Sequence, residues 1–136
     1  MKPIAVALGT AVAALVIATV LPPPASSAAA PVPYTSAQAA AGAHSFSRSC
    51  AACHGAQLQG VSAPALRGAA SGISQESVGE LFTYISQQMP LTNPGGLPAR
   101  DYVNIVAYLL ASNGRSARGA LLTASAAKAS TALVRP

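Results

Sequence analysis

Tryptophan is absent from these 136 residues, phenylalanine occurs twice and tyrosine four times, so the chain lacks the large rings that usually dominate a core. Charge is scarce too, at 8% of residues with only three acids. The bases are sparse and lack interleaved aromatics, which excludes a nucleic-acid surface. No internal repeat is visible and no strand pattern extends beyond a few residues, leaving helices and loops. Cysteine is limited to Cys50 and Cys53, and Met89 is the only methionine after the start.

The 51% hydrophobic content is explained partly by the ends of the chain. Met1 and Lys2 precede an uncharged apolar run from Ile4 to Leu21, then Pro22, Pro23 and Pro24 and a small-residue stretch from Ala25 to Ala30. This layout predicts that residues 1–30 are a secretory signal peptide, directing the protein to the periplasm, with cleavage slightly before Ala30 because Pro31 follows. The alternative is an inner-membrane anchor over residues 4–21, since the run approaches the length that spans a bilayer. Removing the leader leaves roughly a hundred residues, which bury a modest core and commonly need a disulfide, metal or cofactor as a staple.

Between residues 31 and 112 the bases Arg48, Arg67 and Arg100 balance the acids Glu76, Glu80 and Asp101. Arg115, Arg118, Lys128 and Arg135 then follow with no acid, so a neutral body carries a basic end. Residues 31–35 form a Pro-rich lead-in. Thr35 and Gln38 have capping-box spacing and open an Ala-rich helix to about Ala51. Residues 55–72, rich in Gly, Ser, Ala and Pro, read as loop. Ser74 is the expected cap of a second helix, with Val78, Leu81, Phe82 and Ile85 on one face and an end near Met89, because Pro90 disfavours helix in the residue before it. Residues 90–97 are a second loop, and Pro98 starts a third helix with Tyr102, Ile105, Val106, Leu109 and Leu110 on its apolar side and Asn113-Gly114 as its stop. Residues 114–136 read as a mobile Ala/Ser-rich tail, or as a short fraying helix around Ala120 to Ala129. Loops this long in so small a domain are expected only where they have something to cover.

Cys50-Ala51-Ala52-Cys53-His54 has the spacing for covalent haem attachment. At a helix end, two thiols three positions apart lie close enough to add to the two haem vinyl groups, and the next residue, His54, is brought under the iron. A structural disulfide or a thioredoxin-like redox pair would need no His54, and the latter calls for a strand and helix framework. A zinc site would have only His44 or a carboxylate as a fourth ligand and is set aside. For the sixth iron position the candidates are Met89, His44 or nothing. Met89 stands where the second helix must end and is the expected ligand, since His and Met form a standard axial set; the alternative is a methionine that fills core space. His44 lies close in sequence to Cys50 and is poorly placed to reach the opposite haem face.

With these residues the chain resembles the class I cytochrome c family over about residues 36–113. Gly42, Phe46 and Cys50 reproduce the family's glycine, aromatic and cysteine on the first helix, and Ala107-Tyr108-Leu109 looks like its final-helix signature. Ala63-Pro64-Ala65-Leu66-Arg67-Gly68 is similar to the loop whose proline carbonyl accepts the proximal histidine's second N–H, and Met89-Pro90 matches the axial methionine with its proline. The resemblance implies an all-α cytochrome c fold, three main helices and long loops around one covalent haem c, with Cys50, Cys53, His54, Met89 and Pro64 as haem-binding residues and His54 and Met89 as the iron ligands. The lysines that ring the haem edge in mitochondrial members are missing, and Leu97-Pro98 replaces the last helix's Ser or Thr cap. The nearest flavour is that of small cytochromes serving periplasmic quinoprotein dehydrogenases.

The expected function is one-electron transfer, not catalysis, between a donor dehydrogenase and an acceptor oxidase or cytochrome. A positive potential is expected from the thioether and a pocket lined by Val61, Leu66, Leu81, Phe82, Ile85, Ile105 and Leu109. Two alternatives stay open. One is a five-coordinate haem acting on peroxide or sensing a gas, for which the methionine region offers Gln87, Gln88, Thr92 and Asn93; the other is an obligate cytochrome subunit of a dehydrogenase complex. The basic end is a candidate contact for an acidic partner or a membrane.

Overall fold

Thr35 opens the first helix by accepting the Gln38 N–H while the Gln38 side chain accepts the Thr35 N–H, which satisfies two donors that a helix start leaves free. The computed structural model describes residues 31–136. The leader and the alternative anchor over residues 4–21 lie outside the described residues, and among those residues no helix is long and apolar enough to cross a membrane.

The elements are all helical: α1 (Ser36–Ser49), α2 (Ala51–His54), a 3-10 turn (Gly72–Gln75), α3 (Val78–Gln88), α4 (Ala99–Ser112) and α5 (Ala124–Ala129). Helix α4 crosses α1 at Gly42. A Cβ on Gly42 would stand 1.9 Å from the Asn104 carbonyl oxygen and 2.9 Å from the Tyr108 Cβ, so no side chain fits there. One turn further along, the Phe46 and Tyr108 rings meet at a tilt of 53° with centroids 5.5 Å apart. The apolar stripe of α4, Tyr102, Ile105, Val106, Leu109 and Leu110, is buried with Phe46, Val78, Leu81 and Phe82 in a single core.

Two local expectations are corrected. Ser74 does not cap the second helix: it sits in the 3-10 turn and donates its hydroxyl to the Ala69 carbonyl. The cap is Ser77, because Glu80 three residues on completes a capping box and its carboxylate accepts both the Ser77 N–H and hydroxyl. Those two bonds, the backbone one first, hold the Glu80 carboxyl below its usual range. The first helix also stops at Ser49, short of Ala51, because Cys50 turns the chain and α2 starts afresh. The expected end of the second helix before Met89 and the stop at Asn113-Gly114 agree with α3 and α4.

The larger correction concerns residues 114–136, which do not form a mobile tail. They run as a strap over the face formed by the lead-in, α1 and α3. The Arg118 N–H bonds the Tyr34 carbonyl at 3.0 Å, the Tyr34 hydroxyl donates to the Arg115 carbonyl, and Gln38 exchanges two bonds with the Leu122 backbone, each 2.9 Å. Thr123 caps α5, inside the span of the helical alternative. Beyond it the strap lies beside the start of α3: Gly79 and Val78 donate to Ser130 and Ala132, and Val134 donates to Glu76. Val32, Tyr34, Leu122, Ala127, Ala132 and Val134 are all buried by this packing. Val32/Tyr34 and Ala132/Val134 are isolated pairs two residues apart and Leu122, Ala127 and Ala132 fall five apart, so no run is long enough for periodicity to reveal them.

Gly42→Ala should lower the unfolding free energy by about 2–3 kcal/mol, because the clash falls on backbone that has no rotamer to yield; denaturant titration of the full-length protein checks this. Removing residues 130–136 should lower the thermal midpoint, whereas a solvated tail would leave it unchanged.

Candidate functional site

Cys50 occupies the joint between α1 and α2. Its N–H still bonds the Phe46 carbonyl at 2.8 Å, and its own carbonyl accepts Cys53 N–H at 3.1 Å and His54 N–H at 3.0 Å. Both cysteines are free thiols, Cys50 half-buried and Cys53 exposed. Burial pushes the Cys50 thiol up to about 11, with the Cys53 thiol adding to the rise. A thioredoxin-like pair needs a thiol shifted the other way, toward the thiolate. Among the described residues, no group of three or more His, Cys, Asp and Glu side chains is arranged to hold a metal ion.

A four-residue helix leaves its last carbonyls without helical partners. The loop that follows supplies them. Gly60 N–H bonds the His54 carbonyl at 2.8 Å, and the N–H groups of Val61, Ser62 and Ala63 converge on the Cys53 carbonyl at 3.1 Å each. Gly60 has φ +80°, and a Cβ there would lie 2.8 Å from Ala65 N and 2.9 Å from Ala63 O, so only glycine makes this return. Leu58, fully buried, pins the loop from within, and its carbonyl accepts the Leu66 N–H at 2.8 Å. The return brings the Pro64 carbonyl to 2.8 Å from His54 Nδ1. Nδ1–H is thereby the donor, leaving Nε2 as the nitrogen able to bind a metal.

Asn113, at the end of α4, anchors the other side of this loop. Its Nδ2 donates to the Leu66 and Leu109 carbonyls, each at 2.9 Å, and its Oδ1 accepts the Gly68 N–H at 3.1 Å. Sequence reading treats Asn113 only as a helix stop. The signal available was an amide side chain at a C-cap, where helix carbonyls and the neighbouring loop both need partners.

Met89 is the C-cap residue of α3, half-buried and extended, with its N–H on the Ile85 carbonyl. Its carbonyl accepts the Tyr102 hydroxyl at 2.7 Å and the Gly95 N–H at 3.2 Å. The structure thus joins Cys50, Cys53, His54 and Pro64 in one unit, places Met89 on a separate loop, and ties both loops to α4. His44 is exposed on α1 and takes no part. Of the expected pocket residues, Leu81, Phe82, Ile105 and Leu109 are buried and Leu66 and Ile85 pack against them. Val61 is 71% exposed on the loop after the cysteine motif, and Leu91, which sequence reading passed over, is 75% exposed after Met89. A groove of about 920 Å3 between α3 and α5, lined by Glu76, Glu80, Tyr84, Gln88 and Lys128 among others, contains none of the motif residues.

The donor set suits a covalently held haem: two adjacent free thiols for thioether bonds, an imidazole with one nitrogen oriented and the other available, and a thioether on a separate loop. Comparison with known proteins bears on the same residues. The family model for cytochrome c oxidase, cbb3-type, subunit III matches residues 37–109, more than half of the chain. A chain in the crystal structure of the sulfane dehydrogenase SoxCD from Paracoccus pantotrophus superposes with a TM-score of 0.58 and 27% identity, covering 70% of this chain and 52% of that one. The present chain therefore spans about half the length of that match. No curated protein matches it.

Asn113→Ala should cost about 2–4 kcal/mol in denaturant unfolding, since it removes three hydrogen bonds and strands the Leu66 carbonyl and Gly68 N–H.

Proposed function

This chain belongs to the cytochrome c oxidase, cbb3-type, subunit III family and is a class I c-type cytochrome, and from that premise we propose that Cys50 and Cys53 carry its haem c and that His54 and Met89 ligate the iron. A c-type cytochrome carries covalently bound haem and serves electron transfer with redox proteins as partners. When bound, haem c supplies a one-electron couple between ferric and ferrous iron.

The bond from His54 Nδ1 to the Pro64 carbonyl carries the reading. It fixes the ring by its far edge, leaves Nε2 as the nitrogen open to a metal, and rests on a loop that Gly60, Leu58 and Asn113 hold in place. A histidine serving only as an exposed helix end would need none of this support. Met89 would supply the second iron ligand, since an imidazole and a thioether together are a standard ligand set of electron-carrying cytochromes c. With both ligands drawn from the protein, the iron would be closed to substrates, and a thioether ligand would favour the reduced state and a positive potential.

The partners are a donor dehydrogenase and an acceptor oxidase or cytochrome, met in the periplasm after residues 1–30 direct export. The match to a dehydrogenase structure supports the first of these classes. Arg118, Lys128 and Arg135 remain exposed on the strap and offer an acidic surface its contact. Because the strap is part of the folded body, charge reversal at these three positions separates docking from folding better than deletion does.

The deciding measurement is the spectrum of the periplasmically expressed protein, oxidised and reduced. The oxidised form should show the weak near-infrared sulfur-to-iron band, and Met89→Ala should abolish it while leaving the haem attached. Attached haem without that band, together with ready binding of carbon monoxide, would replace this reading with an open-site haem acting on peroxide or a gas.

A further inference from the structure

The loop that follows Met89 has almost no burial of its own. Residues 91–96 are all exposed, and the loop's internal bonds are three backbone contacts: Asn93 N–H to the Pro90 carbonyl, Gly95 N–H to the Met89 carbonyl and Gly96 N–H to the Asn93 carbonyl. Segments of this kind open readily unless something outside them holds both ends. Here one side chain does. Tyr102, 4% exposed on the first turns of α4, donates its hydroxyl hydrogen to the Met89 carbonyl at 2.7 Å and accepts the Leu97 N–H at 3.2 Å. A single phenol oxygen therefore bridges the first and last residues of the loop, using both its donor and an acceptor lone pair. Its ring is embedded in the core that α4 shares with α1 and α3, so the oxygen has little freedom to move.

We propose that Tyr102 is a positioning residue for Met89: it clamps the loop closed against α4 and so holds the thioether at its post. The role rests on the reading of Met89 as the distal ligand. Its mechanism is mechanical. Any departure of the thioether that carries the Met89 backbone with it also breaks the bonds to Tyr102, so the clamp opposes that motion. Coupling of this sort is reciprocal, so a closed clamp favours bound Met89 and a displaced Met89 favours an open clamp.

Tyr102→Phe keeps the ring and removes only the oxygen. The readout is imidazole binding to the oxidised full-length holoprotein, followed through the near-infrared band, since imidazole must displace the sulfur ligand. Tyr102→Phe should bind imidazole about tenfold more tightly than wild type, the loss expected for hydrogen bonds of this kind. Ser77→Ala, which loosens the opposite end of α3 without touching the loop, should not change imidazole affinity. Equal affinity in wild type and Tyr102→Phe, or an equal rise in Ser77→Ala, overturns the positioning role while leaving Met89 as ligand. A wild-type protein without the band, or a band that survives Met89→Ala, overturns the ligand reading and this proposal with it. If Tyr102→Phe does not accumulate as holoprotein, hydrogen exchange in the wild type tests the same coupling. The Leu97 amide should then exchange at least about tenfold faster once imidazole has displaced Met89, and an unchanged rate overturns the clamp.

Discussion

Everything at the site depends on how closely α4 can approach α1. At Gly42 the Asn104 carbonyl lies where a Cβ would have to be, and that absence lets two helices share one face with the Phe46 and Tyr108 rings closing the crossing. Once α4 is set in place, its two ends become fixed points. Tyr102 and Asn113 stand eleven residues apart on the same helix, a span of roughly 16 Å. Each reaches out to a loop, Tyr102 to the exposed Met89 loop and Asn113 to the loop carrying Pro64, which Leu58 pins from within. A helix is stiff over that distance, so the spacing between the two loops is inherited from α4 rather than from contacts between them.

The loops are ordered by hydrogen bonding more than by burial. Backbone carbonyls at Cys53 and His54 have no helical partners, and the chain satisfies them by folding back through Gly60. This economy suits a sequence poor in large side chains. A core assembled around two phenylalanines and short aliphatics holds a small domain together only if few polar groups are left unpaired. The raised Cys50 thiol belongs to the same picture: its half-buried position at the α1/α2 joint stabilises the neutral form, which does not suit a redox nucleophile.

The strap changes how the charge of the molecule is understood. All four bases beyond residue 112 lie on a segment whose backbone is bonded to the lead-in, α1 and α3, and Arg115 Nε bonds the Leu133 carbonyl at 2.7 Å. The positive end is therefore presented on an ordered surface. Any partner drawn to it meets Arg118, Lys128 and Arg135 on a backbone that is already ordered, so only their side chains lose freedom at the moment of contact.

By itself the sequence determined which residues are candidates for the chemistry, and most of the helices. Cysteine spacing, a following histidine and a lone methionine before a proline are local features, and so are the Thr35 box, the apolar stripe of α4 and the Pro90 stop, because each rests on groups within a turn or two of one another. Ser74 and Ser77 show the limit of that locality: both offer a cap, and only Ser77 has Glu80 at the reciprocal position while Ser74 is drawn to Ala69. Tertiary structure alone decided the rest. The burial of Leu58 in a loop, the two-ended grip of Asn113, the bridge made by the Tyr102 hydroxyl and the docking of residues 114–136 all join groups far apart in the chain. Their partners are mostly backbone atoms, which are the same in every residue and leave no pattern in the order of side chains.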